Sequence, residues 1–420
     1  MEPTTFTLLI FLLTFLLIIT ELVHKTLAAL LGAFLMIVYG FVNYSEIGSL
    51  IDFQAMGVIF GMMIVIEVVK DSGIFQFFGL KAIKLARGNP KYLFIIMITF
   101  TTILSAFLNN LTSILIMSAL TFTLCRSLEL NPLPFIISES IATNIGGIMF
   151  LTSSIPNILV AGAGDLTFMD FILFSLPLSF ILFISTILFL LFFYRTEFKG
   201  HGVETITNFD EWSVIPDKRF FWNSLILLIF TIVFFMVSDK LGVTIDFVAI
   251  SSAILILLLS GADPDETLKH IDWGTIFFFL GLFIVVGGLE NSGALKSISN
   301  TLISFTGNNK MLSTIALLWV SGLSSGIVDN IPITVTLIPI ARHMIHVLGV
   351  NALWWCIVFG ANLGGNLTPM GSPSNIIALG IAKKEGYEIS FSEFMKVSTI
   401  VTCLHLSIST LYLLLRFFVS

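Results

Sequence analysis

The chain has 420 residues, 56% of them hydrophobic and only 11% charged, with a mean hydropathy of +1.03 and a net charge of −6. That composition excludes a soluble globular domain, and it excludes a nucleic-acid binder, which needs a basic face. Cys125, Cys356 and Cys403 are scattered without metal-ligand spacing and read as small packing residues.

In chain order, apolar runs long enough to cross a bilayer fall near 6–23, 26–43, 54–70, 135–164 and 169–194. A second set follows near 221–238, 242–260, 273–290, 352–381 and 394–418. The first run lacks a basic leader and a small-residue cleavage site, and its cations His24 and Lys25 come after it, so it reads as a retained span. Two stretches do not fit a simple span. Tyr92–Leu124 and Met311–Ala341 are apolar with polar centres, Asn109-Asn110 and Asp329-Asn330. Each is too short for the roughly 40 residues that two crossings need, so both read as re-entrant hairpins whose tips stop inside the membrane. Between hairpin and span, residues 74–88 form a basic amphipathic stretch at the inner interface. There Phe75, Phe78 and Leu85 are expected in lipid and Lys81, Lys84 and Arg87 in water.

The second set repeats the first. Ile51-Asp52 returns as Ile271-Asp272, Gly61 as Gly281, Ser72-Gly73 as Ser292-Gly293 and Asn110 as Asn330, all 220 positions later. After two deletions, Asn144, Gly146-Gly147 and Asn157 match Asn362, Gly364-Gly365 and Asn375. Five crossings per half is an odd number, so tandem halves must be inverted relative to each other. The expected fold is therefore an all-α polytopic membrane protein of two inverted-topology repeats. Each repeat has five spans plus one re-entrant hairpin, with discontinuous helices at the midplane. The expected boundaries are 1–194 for the first repeat, 195–220 for a cytoplasmic linker and 221–420 for the second repeat.

Charge orients this arrangement. With both termini outside, the inner side gathers Lys25, Lys70, Lys81, Lys84, Arg87, Lys91 and Arg126, then Arg195, Lys199, Lys218, Arg219, Lys269, Lys383, Lys384 and Lys396. The outer side holds Lys240, Lys296, Lys310, Arg342 and Arg416. This positive-inside bias, with the linker inside, predicts a multi-pass protein of a plasma (inner) membrane.

Polar, Gly and Pro residues at membrane depth are expensive unless they are buried in protein or line a cavity. They gather in four clusters, two per half. Asn109, Asn110 and Thr112 make the first; Asn144, Gly146 and Gly147, running on to Pro156 and Asn157, make the second. Asp329 and Asn330 make the third; Asn362, Gly364, Gly365 and Asn366, with Ser372 and Asn375, make the fourth. Each breaks a helix, and the half-helix that follows aims free amides and a positive dipole end at the cavity, which suits an anion. The Gly-Gly carbonyls and Asn side chains offer oxygens, which suit Na⁺. Asp329 and Glu139 are the candidates for ion coupling, while Glu67 and Glu290 read as acids reaching to water from span ends. His405 reads as a packing or hydrogen-bonding residue. His343 and His346 share a helix face but lack a third ligand for a metal.

The clusters Asn109-Asn110-Leu111-Thr112-Ser113, Thr143-Asn144-Ile145-Gly146-Gly147 with Pro156-Asn157, Asp329-Asn330-Ile331-Pro332 and Gly360 through Asn366 resemble the signature of the ion transporter superfamily. The pattern is similar to the branch of arsenite efflux pumps, NhaD-type sodium/proton antiporters, citrate transporters and the melanosomal P protein, from about residue 45 to 400. The resemblance implies substrate and coupling ion held between hairpin tips and helix breaks. It also implies a possible homodimer and, for an arsenite-type pump, a soluble ATPase subunit. The bilayer and a small inorganic or organic ion are the expected partners, with no cofactor, no nucleic acid, and sodium or a proton as coupling ion. Asn109-Asn110 stands where many relatives have Asp-Asn, and Thr152-Ser153-Ser154-Ile155 where many have an acid. Fewer acids weaken cation antiport and favour an anion or a neutral oxyacid. The expected function is secondary active transport of a small anion or oxyanion, arsenite-pump-like, by alternating access. A sodium/proton antiporter or a citrate/carboxylate transporter is the alternative. Gly162-Ala163-Gly164-Asp165 matches the GxGD string of intramembrane aspartyl proteases, but no second Asp stands at comparable depth, so a non-enzyme is expected.

Overall fold

A computed structural model describes residues 3–20, 22–85, 89–198, 211–215 and 217–419. Among these residues there is no strand. Arg87 and half of the expected linker (residues 199–210 and 216, Lys199 among them) lie outside them. The first half runs α1 (Pro3–Thr20), α2 (Lys25–Val38), α3 (Phe53–Asp71), α4 (Ile74–Leu85), α5 (Pro90–Phe107), α6 (Asn110–Ser127), α7 (Leu133–Gly146), α8 (Ile155–Gly164) and α9 (Phe168–Phe193). The second half repeats the series as α10 (Lys218–Leu241), α11 (Ile245–Ser260), α12 (Trp273–Asn291), α13 (Ala294–Phe305), α14 (Lys310–Ser325) and α15 (Asn330–Leu348). It ends with α16 (Ala352–Gly364), α17 (Pro373–Lys384) and α18 (Phe391–Val419).

The two repeats exchange partners in a frame of α1–α3 and α10–α12. α3 packs on α11, and its repeat counterpart α12 packs on α2. Glycine makes both contacts possible. A Cβ on Gly61 would lie 2.6 Å from the Ala249 backbone, and one on Gly281 2.7 Å from that of Ala29, so the helices meet backbone to backbone. Both frame helices then turn at left-handed glycines, Gly73 (φ 80°) and Gly293 (φ 78°), into α4 and α13.

The remaining helices form a body of hairpins and broken helices. α5 packs on α7 and α14 on α16, again through glycines: a Cβ on Gly146 would overlap the Thr102 carbonyl, and one on Gly364 that of Gly322. The hairpins α5–α6 and α14–α15 turn at residues 108–109 and 326–329. Their arms exceed the expected length, because Asn89 and Asn309 cap α5 and α14 through paired backbone N–H groups, and α6 and α15 run on to Ser127 and Leu348. Pro90–Phe107 and Asn330–Leu348 are each long enough to cross a membrane. Re-entrance therefore follows from the tips meeting the helix breaks inside the body, not from arm length.

The amphipathic stretch also departs from expectation. Phe75 is buried in protein at 5% exposure, while Phe78 stays 39% exposed. Phe77 packs at 4.7 Å on Trp212 and 5.2 Å on Phe221, so an aromatic cluster leading into the second repeat holds α4 against the start of α10.

Candidate functional site

Four half-helices begin at one place. The N-termini of α6, α8, α15 and α17 all line a cavity of about 210 Å³, through Asn109, Asn110 and Thr112, Ser154 and Pro156, Asn330, and Ser372 and Ser374. Local sequence sets each start. Asn109 accepts from the Thr112 amide at 2.8 Å, and Asp329 accepts from the Ile331 amide at 3.3 Å. Pro156 and Pro373 sit in the first turns of α8 and α17, where an N–H would have no helical partner. Four positive dipole ends facing one cavity favour a negatively charged guest.

The cavity opens between body and frame, beside Met63, Ile66 and Glu67 of α3 and His270, Ile271 and Asp272 before α12. Glu67 corrects its sequence reading. Its side chain is 13% exposed, receives a 2.5 Å bond from Lys70 and faces the cavity, rather than reaching to water.

A second recess, of about 320 Å³, is the repeat counterpart on the frame side: Ile51, Asp52, Phe283, Val286 and Gly287, each 220 positions from a lining residue of the first cavity or its equivalent. On the body side it meets the middle of α8 and α15 at Leu159, Gly162, Val335 and Ile338, with Arg342 and Glu290 at its rim, and not the helix tips.

Of the sequence-derived site residues, Asn109, Asn110, Thr112, Pro156, Asn330 and Ser372 line the cavity, and Asp329 flanks it as a helix cap. Asn144, Asn157, Asn362, Asn366 and Asn375 stand behind it, all fully buried. They tie the two breaks together. Asn157 Nδ2 donates to the Gly147 and Phe150 carbonyls at 2.8 and 2.7 Å, and Asn375 Nδ2 donates to the Gly365 and Thr368 carbonyls at 2.8 and 2.9 Å. Across the repeats, Asn144 Nδ2 donates to Asn366 Oδ1 at 2.7 Å, Asn362 Nδ2 to Asn157 Oδ1 at 3.0 Å and Ser140 Oγ to Asn375 Oδ1 at 2.5 Å. The loop carbonyls of the Gly-Gly breaks are thus already in use, and Gly146 and Gly364 serve close helix packing.

Glu139 is fully buried between α7 and α6. Its Oε1 accepts from Thr121 at 2.5 Å, while Oε2 has no hydrogen-bond partner. His405 bonds through Nε2 to Thr186 at 2.6 Å, outside the cavity lining. Asp165 caps the end of α8 with left-handed backbone (φ 50°) and is exposed.

Ser154 and Ser374 fall within the second and fourth polar clusters and line the cavity, whereas sequence reasoning missed Glu67, His270 and Asp272 as lining residues. Ser154 and Ser372 lie 218 positions apart, the offset of Asn157 and Asn375, so the repeat carried a signal for Ser154. His270 and Glu67 had none, because only packing of the frame brings them to the cavity.

Paired hairpins, paired broken helices and a polar cavity at their meeting point define a membrane transporter. The chain belongs to the citrate transporter family, whose model matches residues 15–360. It is 33% identical over 419 residues to an uncharacterized transporter of Mycobacterium tuberculosis, covering 98% of each chain. It is 28% identical to the P protein of Mus musculus, covering 95% of this chain and 58% of that one. In fold it is similar to the YdaH transporter of Alcanivorax borkumensis, with a TM-score of 0.65 at 12% identity and 98% of both chains covered. It is also similar to MtrF of Neisseria gonorrhoeae, with a TM-score of 0.60 at 11% identity, covering 86% of this chain and 81% of that one.

Proposed function

We propose that the chain is an ion-coupled secondary transporter of a small anion or oxyanion, arsenite-pump-like, working by alternating access. The observation that carries this reading is the convergence of four half-helix N-termini on one cavity whose body side has no Lys, Arg or His. Fixed amide dipoles stabilise an anion there without a bound cation to hold it permanently, which suits release.

The two recesses support alternating access. The frame presents equivalent faces to both, yet the tips meet only one. Sliding the body along the frame would bring the tips to Asp52 and Val286 and withdraw them from Asp272 and Ile66. By the charge bias, the open mouth beside Lys70 and Lys269 is the inner one, with both termini outside and the plasma membrane as the site of action.

A sodium/proton antiporter is the second reading, and Glu139 favours it: a buried carboxyl with one unpartnered oxygen is a place to carry a proton. The test is proton flux in proteoliposomes after a Na⁺ jump, with and without arsenite or citrate, beside Asp329→Asn. Flux that requires an added anion supports the anion reading. Flux with Na⁺ alone, lost in the variant, gives the function to antiport.

A further inference from the structure

Frame and body close on each other at the second recess, and the repeat defines the contact that would replace this one once the body had slid. Chemistry common to both contacts favours neither arrangement, so the balance rests on positions where the repeats differ. Several such differences fall together at the recess.

Asp52 caps α3, its Oδ1 accepting from the Ala55 amide at 2.9 Å, and lays Oδ2 on α8 of the body, where a Cβ on Gly162 would come within 2.8 Å of it. Its counterpart Asp272 commits both oxygens to its own helix, Oδ1 to the Thr275 amide at 3.0 Å and Oδ2 to the Thr275 hydroxyl at 2.5 Å. Ala55 stands where Thr275 does and has no hydroxyl to give. Across the recess from Asp52 is Arg342 of α15, an exposed guanidinium on the body. Burial raises the Asp52 carboxyl above its ordinary value, and the Arg342 charge opposes that rise. The counterpart of Arg342 is Phe122, an uncharged ring packed on Tyr387 at 5.8 Å. The frame differs in the same sense. Glu290 at the recess rim and Asp246 of α11 add negative charge around Asp52. Their counterparts are Lys70, bonded to Glu67 at 2.5 Å, and Thr26, which donates to the Gly274 carbonyl at 2.9 Å.

We propose that Arg342 is the positioning residue of a one-sided latch, an inference that rests on the alternating-access reading above. Its guanidinium draws the body onto the Asp52 and Glu290 wall of the frame, and it lets go when the tips move to the recess. The counterpart contact, with Phe122 facing Asp272 and Lys70, has no cation at that place on the body and no acid oxygen turned to it. The latch therefore favours the arrangement in which the recess is closed and the cavity open. Exposed ion pairs are weak, which suits a contact broken in every cycle.

The test is the ratio of labelling rates of Thr112→Cys, in a chain carrying Cys403→Ser, from the Arg342 face and from the Lys70 face. It is read in sealed vesicles of defined orientation with an impermeant maleimide and no gradient. The parent is compared with Arg342→Gln, Arg342→Lys, Asp52→Asn and the pair Arg342→Gln with Asp52→Asn. We expect Arg342→Gln to raise the ratio about three- to fivefold, the shift that an exposed ion pair supports. Asp52→Asn, which keeps a capping oxygen, should do the same, and the pair should go no further than either alone. Arg342→Lys, which keeps the charge, should stay near the parent. An unchanged or lowered ratio in Arg342→Gln, or a pair equal to the product of its singles, overturns the latch; labelling from both faces under an anion gradient then leaves alternating access standing. Labelling from the Lys70 face alone in every variant, with and without that gradient, overturns alternating access and the latch with it.

Discussion

The two mouths of the molecule are built from the same positions of the repeat and differ in what they touch. Beside the cavity, Glu67 and His270 stand at the frame; 220 positions away their counterparts Gly287 and Leu50 stand at the other recess. There Leu50 packs directly on Gly287, where an added Cβ would lie 2.6 Å from its Cδ1. Both mouths carry charged side chains, but only the first reaches four helix tips; the other, with Asp52, Glu290 and Arg342, is backed by Leu159, Val335 and Ile338 and does not reach them. Inverted repeats therefore supply equivalent geometry, and departures from symmetry in side chains decide how each mouth behaves.

The strongest expected effect tests whether the body moves as one unit. Asn157→Ala or Asn375→Ala strips two loop carbonyls of their donor, and each should destabilise the protein by about 2–4 kcal/mol. Thermal unfolding in detergent should show losses of similar size; a large loss in only one variant breaks the symmetry between the two breaks. Next is Gly287→Leu, which overpacks Leu50 and should cost about 1–3 kcal/mol. Glu67→Leu, its repeat counterpart, removes only the bond to Lys70 and should leave the unfolding temperature nearly unchanged. The smallest effect separates capping from transport. Asp52 and Asp272 cap α3 and α12, accepting from the Ala55 and Thr275 amides at 2.9 and 3.0 Å. Alanine at either should destabilise by about 0.5–2 kcal/mol. In this state only Asp272 faces the cavity, so initial transport rates should fall more in Asp272→Ala than in Asp52→Ala.

Much of this architecture can be read from the chain. The polar clusters at 109–112, 144–157, 329–332 and 362–375 mark helix breaks because backbone at membrane depth must be satisfied by protein, and the structure has a break at each. Gly61 and Gly281 mark close helix crossings for the same kind of reason. Sequence does not say which way an asparagine turns. Asn110 and Asn330 face the cavity, whereas Asn144, Asn157, Asn362, Asn366 and Asn375 hold the breaks together, and residue type alone is the same for both jobs. Phe75 misleads because the lipid-facing and protein-facing sides of a short amphipathic helix are equally apolar; only contact with the body separates them. Glu67 misleads for the complementary reason: a span end can face water or a cavity.

The most direct test of the account is access to Thr112, which lines the cavity, from each side of the membrane. Thr112→Cys in a chain carrying Cys403→Ser, reconstituted and treated with an impermeant maleimide, reads it. The account predicts labelling from the Lys70 face at rest, labelling from the opposite face once an anion gradient drives turnover, and protection by substrate in both cases. Labelling from one face alone under every gradient would contradict alternating access at this cavity.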